Sequence, residues 1–246
     1  MLDPPQPGER HHGLDWLRIA AFGLLIFYHI AMVFAPGDWL VKAPHTVEAI
    51  AWPMLAMQPW RMPLLFAVSG YASFALLRRS TGAGAFLTAR SKRLLLPLLF
   101  GILFINPPQT WVALAGQHDY RFGLGHFWTH DWLRFTNIDG VLVPNQEHLW
   151  FIAYLWAYTM ALGLALEAAP GFIKRRGAQA VEWLEPHLRL LCVPMMVLLL
   201  LRIGVLFLIP ETRGILHDWV SDLTFVPAFL FGFAIAARPQ LWQAWA

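Results

Sequence analysis

The chain has 246 residues, 58% of them hydrophobic and only 13% charged, with 13 Trp, 18 Phe and a formal net charge of +3. Soluble domains hold about 45 to 50% apolar and about 25% charged residues, so this composition excludes a soluble fold with one core and points to an integral membrane protein. The single cysteine, Cys192, excludes an internal disulfide framework and a cysteine metal cluster, and the basic residues are scattered between apolar runs instead of forming one stripe, which argues against a nucleic-acid partner.

In chain order, residues 1 to 12, with Pro4, Pro5, Pro7 and Gly8, read as a flexible tail ahead of a membrane domain over 13 to 246. Six spans are expected, at roughly 14 to 35, 56 to 77, 94 to 113, 148 to 167, 188 to 209 and 222 to 237. Each is near the ~20 residues that cross ~30 Å of hydrocarbon. The expected fold is therefore an all-α polytopic bundle. Arg10, the cluster Arg78, Arg79, Arg90, Lys92 and Arg93, the cluster Lys174, Arg175, Arg176 and Arg189, and Arg238 fall at alternate ends of the spans, which predicts cytoplasmic N- and C-termini. A cleaved signal peptide is the competing reading of the first span, but Pro36 directly after Val33-Phe34-Ala35 and the acidic Asp3 and Glu9 oppose it.

The first span contains "DWLRIAAFGLLIFYHI", in which Asp15, Arg18 and His29 are polar. At ~100° per residue, Arg18 and His29 differ by only ~20° around the helix axis while lying ~16 Å apart along it, and Asp15 sits one turn before Arg18. Phe22, Leu25 and Ile26 complete the stripe, which is expected to face the bundle or a polar cavity. For Asp15 and Arg18, an i,i+3 pair or snorkelling to the headgroups is an equally simple account. His29, deeper in the span, is either a functional group or a neutral ring bonded to backbone.

The second span, "QPWRMPLLFAVSGYAS", carries Ser69-Gly70 and an internal Pro63, a pattern that permits close helix approach or free carbonyls near a cavity. Arg90 and Arg93, three apart at the start of the third span, suit a phosphate-like anion as well as a topology signal. "INPPQ" places Asn106, Pro107, Pro108 and Gln109 inside the third span, where a break or kink is expected. The outer connection 114 to 146 holds Trp128, Trp132, His118, His126 and His130, a composition fit for sugar stacking or interface anchoring. The fourth span opens with Glu147, His148 and Trp150, either an interfacial belt or part of a site. No HExxH, GxSxG or P-loop motif is present.

Arg18 and His29 separated by ten residues, followed by "RSKR" at 90 to 93 and by the strings "PWRMPLLFAVSGYAS", "RLLLPLLFGILFINPPQ" and "HLWFIAYLWAY", resemble the acyltransferase 3 family of membrane-bound acyltransferases, in its glucan-succinylating branch. The likeness runs from about residue 10 to 165 and more weakly beyond. It implies transfer of a succinyl or acetyl group from acyl-coenzyme A to a hydroxyl of an extracytoplasmic glycan, in a bacterial inner membrane. His29 would be the catalytic histidine, Arg18 its motif partner, oriented by Asp15, and Arg90 and Arg93 would meet the acyl donor. Substrate contacts are expected from Ser69, Gln109, Glu147, His148 and Trp150. Neither a metal nor a permanently bound cofactor is expected; acyl-CoA, the carbohydrate acceptor and the lipid bilayer are the partners. Members of the family run to about ten spans by the same length rule, so a six-span chain is expected to be C-terminally short. A transporter or flippase for a polar or acylated sugar, which would move substrate without consuming acyl-CoA, and a non-catalytic remnant, indifferent to loss of His29, are the other readings.

Overall fold

The computed structural model describes residues 12–37, 39, 41–184, 187–201, 204 and 219–237. The described chain is almost wholly helical, as it must be if its apolar segments lie in lipid, where each backbone N–H and C=O needs an internal partner. Helix α1 (His12–Phe34) stops at Pro36 and at Gly37, whose φ of +97° only glycine takes easily. Helix α2 (Ala51–Arg79) follows a 3₁₀ turn at Glu48–Ile50 and ends with Arg78 and Arg79 in its last turn. Helix α3 (Ala83–Phe100) runs through a π turn (Gly101–Ile105) into α4 (Asn106–Gln117). The outer connection folds as one helical turn, α5 (Leu124–His126), a second π turn (Phe127–Asp131) and a hairpin of β1 (Thr136–Ile138) and β2 (Val141–Val143). A 3₁₀ turn (Glu147–Leu149) leads into α6 (Trp150–Ala168), followed by α7 (Pro170–Leu184), α8 (His187–Leu201) and α9 (Trp219–Ala236).

Among the described residues, five helical segments are long and apolar enough to cross a membrane: Trp16–Phe34, Glu48–Arg79, Ala83–Gln117, Glu147–Ala168 and Trp219–Ala236. They correspond to five of the six expected spans. The span expected at 188 to 209 is described only through Leu201 and at Gly204; its apolar helix Cys192–Leu201 is shorter, and Arg202 lies outside the described residues. So do Asp38, Asp218, Arg238 and the tail up to residue 11.

Two readings of the sequence are adjusted. The interruption expected at Asn106-Pro107-Pro108 takes the form of a π turn, Gly101–Ile105, directly before them, and the helical span stays continuous from Ala83 to Gln117. The prolines occupy the first turn of α4, where a missing N–H costs least, and the π turn before them absorbs the mismatch. In that turn the Asn106 N–H bonds Gly101 O. The next two donors of the same i→i+5 pattern would be Pro107 to Ile102 O and Pro108 to Leu103 O, and proline has no N–H to give. Trp132 Nε1–H donates instead to Ile102 O at 3.0 Å, and Trp128 Nε1–H to Leu103 O at 2.9 Å. The outer connection is thereby fastened to the bundle, and Trp132, fully buried, has no face left for a sugar.

The second correction concerns α1. Phe22 and Ile26, on the stripe expected to face inward, are 48% and 60% exposed. Among the described residues, the buried positions are Ala21 and Tyr28 of α1 and Ala35 just past its end, spaced by seven, the repeat that keeps one seam against a partner helix. The polar stripe therefore runs along the flank of that seam instead of its centre.

The core centres on Phe66 of α2, stacked on Phe225 of α9 with centroids 4.7 Å apart and met edge-on by Phe151 of α6. Gly70 and Gly232 let α2 and α9 touch: a Cβ on Gly70 would overlap the Phe229 carbonyl oxygen, and one on Gly232 the Ala67 oxygen. A smaller core of Leu114, Phe127, Trp132 and Val143 holds the outer connection together.

Candidate functional site

His29 lies half-buried near the C-terminal end of α1. Its Nδ1–H donates to the Leu25 carbonyl at 2.7 Å, one turn back. Because a carbonyl only accepts, the proton sits on Nδ1 in the neutral ring, and Nε2 keeps its lone pair. His148, from the 3₁₀ turn before α6, meets this ring edge-on at a centroid separation of 5.8 Å, and Trp39 approaches at 5.8 Å. Tyr28 lies at 6.2 Å, with the Arg61 guanidinium carbon 3.3 Å from its ring centroid. The charge of Arg61 is felt at His29. Four parts of the chain thus converge on one imidazole.

Local folding explains how His148 reaches it. Asn145 is held by buried α4 side chains: Asn106 Nδ2 donates to Asn145 O at 2.9 Å, and Asn145 Nδ2 to Thr110 Oγ1 at 3.3 Å. Leu149, next to His148, seats its side chain over Gly101, where a Cβ would collide with it. The π turn is therefore the footing of both the outer connection and the turn that delivers His148.

A second cluster forms at the arginine-rich end. Arg90 of α3 is only 8% exposed and directs Nη2 to the Ser69 carbonyl of α2 at 3.5 Å. Arg93, one turn on, and Arg18 of α1 act electrostatically on it. Gathering guanidiniums at a low-dielectric surface is costly unless an anion joins them, and their planar forks match phosphate and carboxylate. Arg18 therefore stands with Arg90 and Arg93, while the rise of α1 separates it from His29 by ~16 Å.

The remaining predicted residues divide between these ends and the core. Ser69 belongs to the arginine end, where its carbonyl also accepts from Ser73 Oγ at 2.8 Å. Glu147 is the backbone neighbour of His148 in the 3₁₀ turn, with a positive φ of 37°. Trp150 packs into the aromatic core against Tyr154 and Phe225, at 5.4 and 5.6 Å. Gln109 is half-buried on α4, beside Thr110. Asp15 lies in α1, and its side chain is outside the described part. Arg61 and Tyr28 are absent from the sequence-derived set; the signal that finds Arg61 is a cation inside an apolar span, between Pro59 and Pro63.

In the outer connection, Tyr120 O–H donates to Asp131, which also faces Arg134 at 3.3 Å and His126 at 3.7 Å. Burial and this hydrogen bond raise the Tyr120 pKa above the usual phenol value. His126 stacks on Phe122 and on His130, at 4.5 and 4.6 Å. No grouping of three or more metal-ligating side chains occurs among the described residues.

Comparison with known proteins identifies the family of the chain. Glucans biosynthesis protein C of Escherichia coli strain SMS-3-5 is 27% identical over 160 residues, and that of strain K12 26%. Each match covers 63% of this chain and 38% of the relative, so the chain spans well under half the length of the curated relatives it matches. No solved structure matches. The sequence model of the acyltransferase 3 family, described as an acyltransferase domain, matches residues 11–246. With its apolar helices and its two polar clusters at opposite ends of α1, this integral membrane protein belongs to the acyltransferase 3 family.

Proposed function

We propose that residues 13 to 246 are a transmembrane acyltransferase domain of the bacterial inner membrane that moves a succinyl or acetyl group from acyl-CoA to a hydroxyl of an extracytoplasmic glycan. The observation that carries this reading is the hydrogen bond from His29 Nδ1–H to Leu25 O, which leaves Nε2 as a base inside a membrane span. Arg90, Arg93 and Arg18 bind the phosphates of the donor at the cytoplasmic end. The long thiol arm of coenzyme A then carries the thioester along α1 toward His29. The acceptor enters from the outside, past His148 and Glu147, and Nε2 takes the proton of its hydroxyl as the oxygen attacks the thioester carbon. Ser69 and Gln109 line the walls of this route, Trp150 backs it from the core, and Asp15 orients Arg18. The name of the relatives favours a glucan as acceptor.

The test is release of free coenzyme A from succinyl-CoA and acetyl-CoA by the full chain in lipid nanodiscs, with and without a glucan, beside His29→Ala. Acceptor-dependent release that falls by about 10²- to 10⁴-fold in the variant is expected for loss of a general base. Absence of acceptor-dependent release from folded protein rejects transfer by this chain.

A further inference from the structure

We propose that Arg61 is a second catalytic residue, its guanidinium stabilising the negative charge that forms on the thioester carbonyl oxygen; this rests on the reading of His29 as the base. Arg61 lies inside the span Glu48–Arg79, eight residues before Ser69, so it stands ~12 Å along α2, more than two helical turns, from the carbonyl that Arg90 meets. A cation in a span is expensive and ordinarily turns to the nearest headgroups. Arg61 turns inward instead: it is half-buried, and its guanidinium carbon lies 3.3 Å from the ring centroid of Tyr28, itself a buried residue of the α1 seam. Tyr28 precedes His29, and Arg61 is close enough for its charge to reach the imidazole.

A second cation nearby among the described residues, Lys42, serves the end of α1 instead. Its Nζ donates to the Met32 and Ala35 carbonyls at 2.8 and 2.5 Å, closing the end of α1. Among the described residues, Arg61 is the cation whose charge bears on His29.

The chemistry needs such a group. The acceptor oxygen bonds to the thioester carbon, its proton passes to His29 Nε2, and the carbonyl π pair moves onto oxygen. When that pair returns, the C–S bond breaks, and the departing thiolate takes the proton from His29. Charge appears on the carbonyl oxygen only between these steps, so a fixed guanidinium there favours the transition state over the bound donor.

The experiment measures kcat and KM for coenzyme A release by the full chain in nanodiscs for wild type, His29→Ala, Arg61→Gln and Arg61→Lys, together with thermal midpoints. Arg61→Gln should lower kcat by about 100-fold or more with KM for the donor nearly unchanged, as for loss of one oxyanion donor. Arg61→Lys, which keeps the charge, should recover part of that loss at a thermal midpoint equal to that of Arg61→Gln. His29-dependent release with wild-type kcat in Arg61→Gln overturns the role of Arg61 and leaves the transferase reading standing. A rise in KM with kcat preserved overturns it too, making Arg61 a donor-binding group. Wild-type protein without His29-dependent release overturns the reading and this role together.

Discussion

Single hydrogen bonds define the chemistry of this chain more than single charges do. The bond from His29 to Leu25 O chooses the tautomer, and a backbone acceptor one turn away makes that choice independent of a carboxylate partner. Tyr120 offers a residue-scale test away from the membrane. Burial and the bond to Asp131 favour its neutral form, so its folded pKa lies above the unfolded value of about 10. The stabilisation is fully present below the unfolded value and is lost as pH rises through the folded one. The difference in thermal midpoint between wild type and Tyr120→Phe should hold steady from pH 7 to about 9 and shrink above about 10. A gap that stays constant into stronger alkali would show that the Asp131 contact contributes nothing.

At the scale of elements, two devices let helices do what regular geometry forbids. The π turn at Gly101–Ile105 accepts Pro107 and Pro108 because two tryptophans satisfy the carbonyls those prolines leave open. The α2–α9 pair depends on glycine for a different reason. At Gly70 and Gly232 the obstacle to a Cβ is backbone of the facing helix, which cannot rotate away. At Gly163 it is only the end of Leu87, and at Gly116 nothing lies within 4 Å. Gly70→Ala and Gly232→Ala should each destabilise the chain by about 1–3 kcal/mol or more through overpacking. Gly116→Ala, in the last turn of α4, should be neutral or stabilising by less than about 1 kcal/mol. Thermal unfolding in one detergent would order them, and a harmless Gly232→Ala would contradict the close contact.

For the whole molecule, the two clusters at opposite ends of α1 have meaning only if a membrane separates their surroundings. The charge pattern predicts Ser80, beside Arg78 and Arg79, in the cytoplasm and the β1–β2 hairpin outside. Cys192 is the single cysteine, so in a Cys192→Ala background Ser80→Cys and Asn137→Cys are clean reporters. An impermeant maleimide should label position 137 in intact spheroplasts and position 80 only after permeabilisation. The reverse pattern would put the arginine cluster on the outside, away from any cytoplasmic acyl donor.

The sequence by itself determined the class of fold, five of the described spans, and the two ends at which charge and imidazole collect. Those follow from lipid's intolerance of unpaired backbone and from the fixed 1.5 Å rise that separates Arg18 from His29. It also pointed to His148, through a polar residue at the head of an aromatic span. Only the tertiary structure decided that His148 meets His29, that Ser69 serves Arg90 through its carbonyl, that Trp150 belongs to the core, and that Arg61 lies on Tyr28. Periodicity gives the angle of a residue around its own helix, but which angle is covered depends on where small residues such as Ala21 and Ala35 let another helix in. The Pro107-Pro108 pair shows the same limit. A missing N–H is local, whereas the indole that replaces it comes from residues twenty or more positions away, and only folding brings the two together.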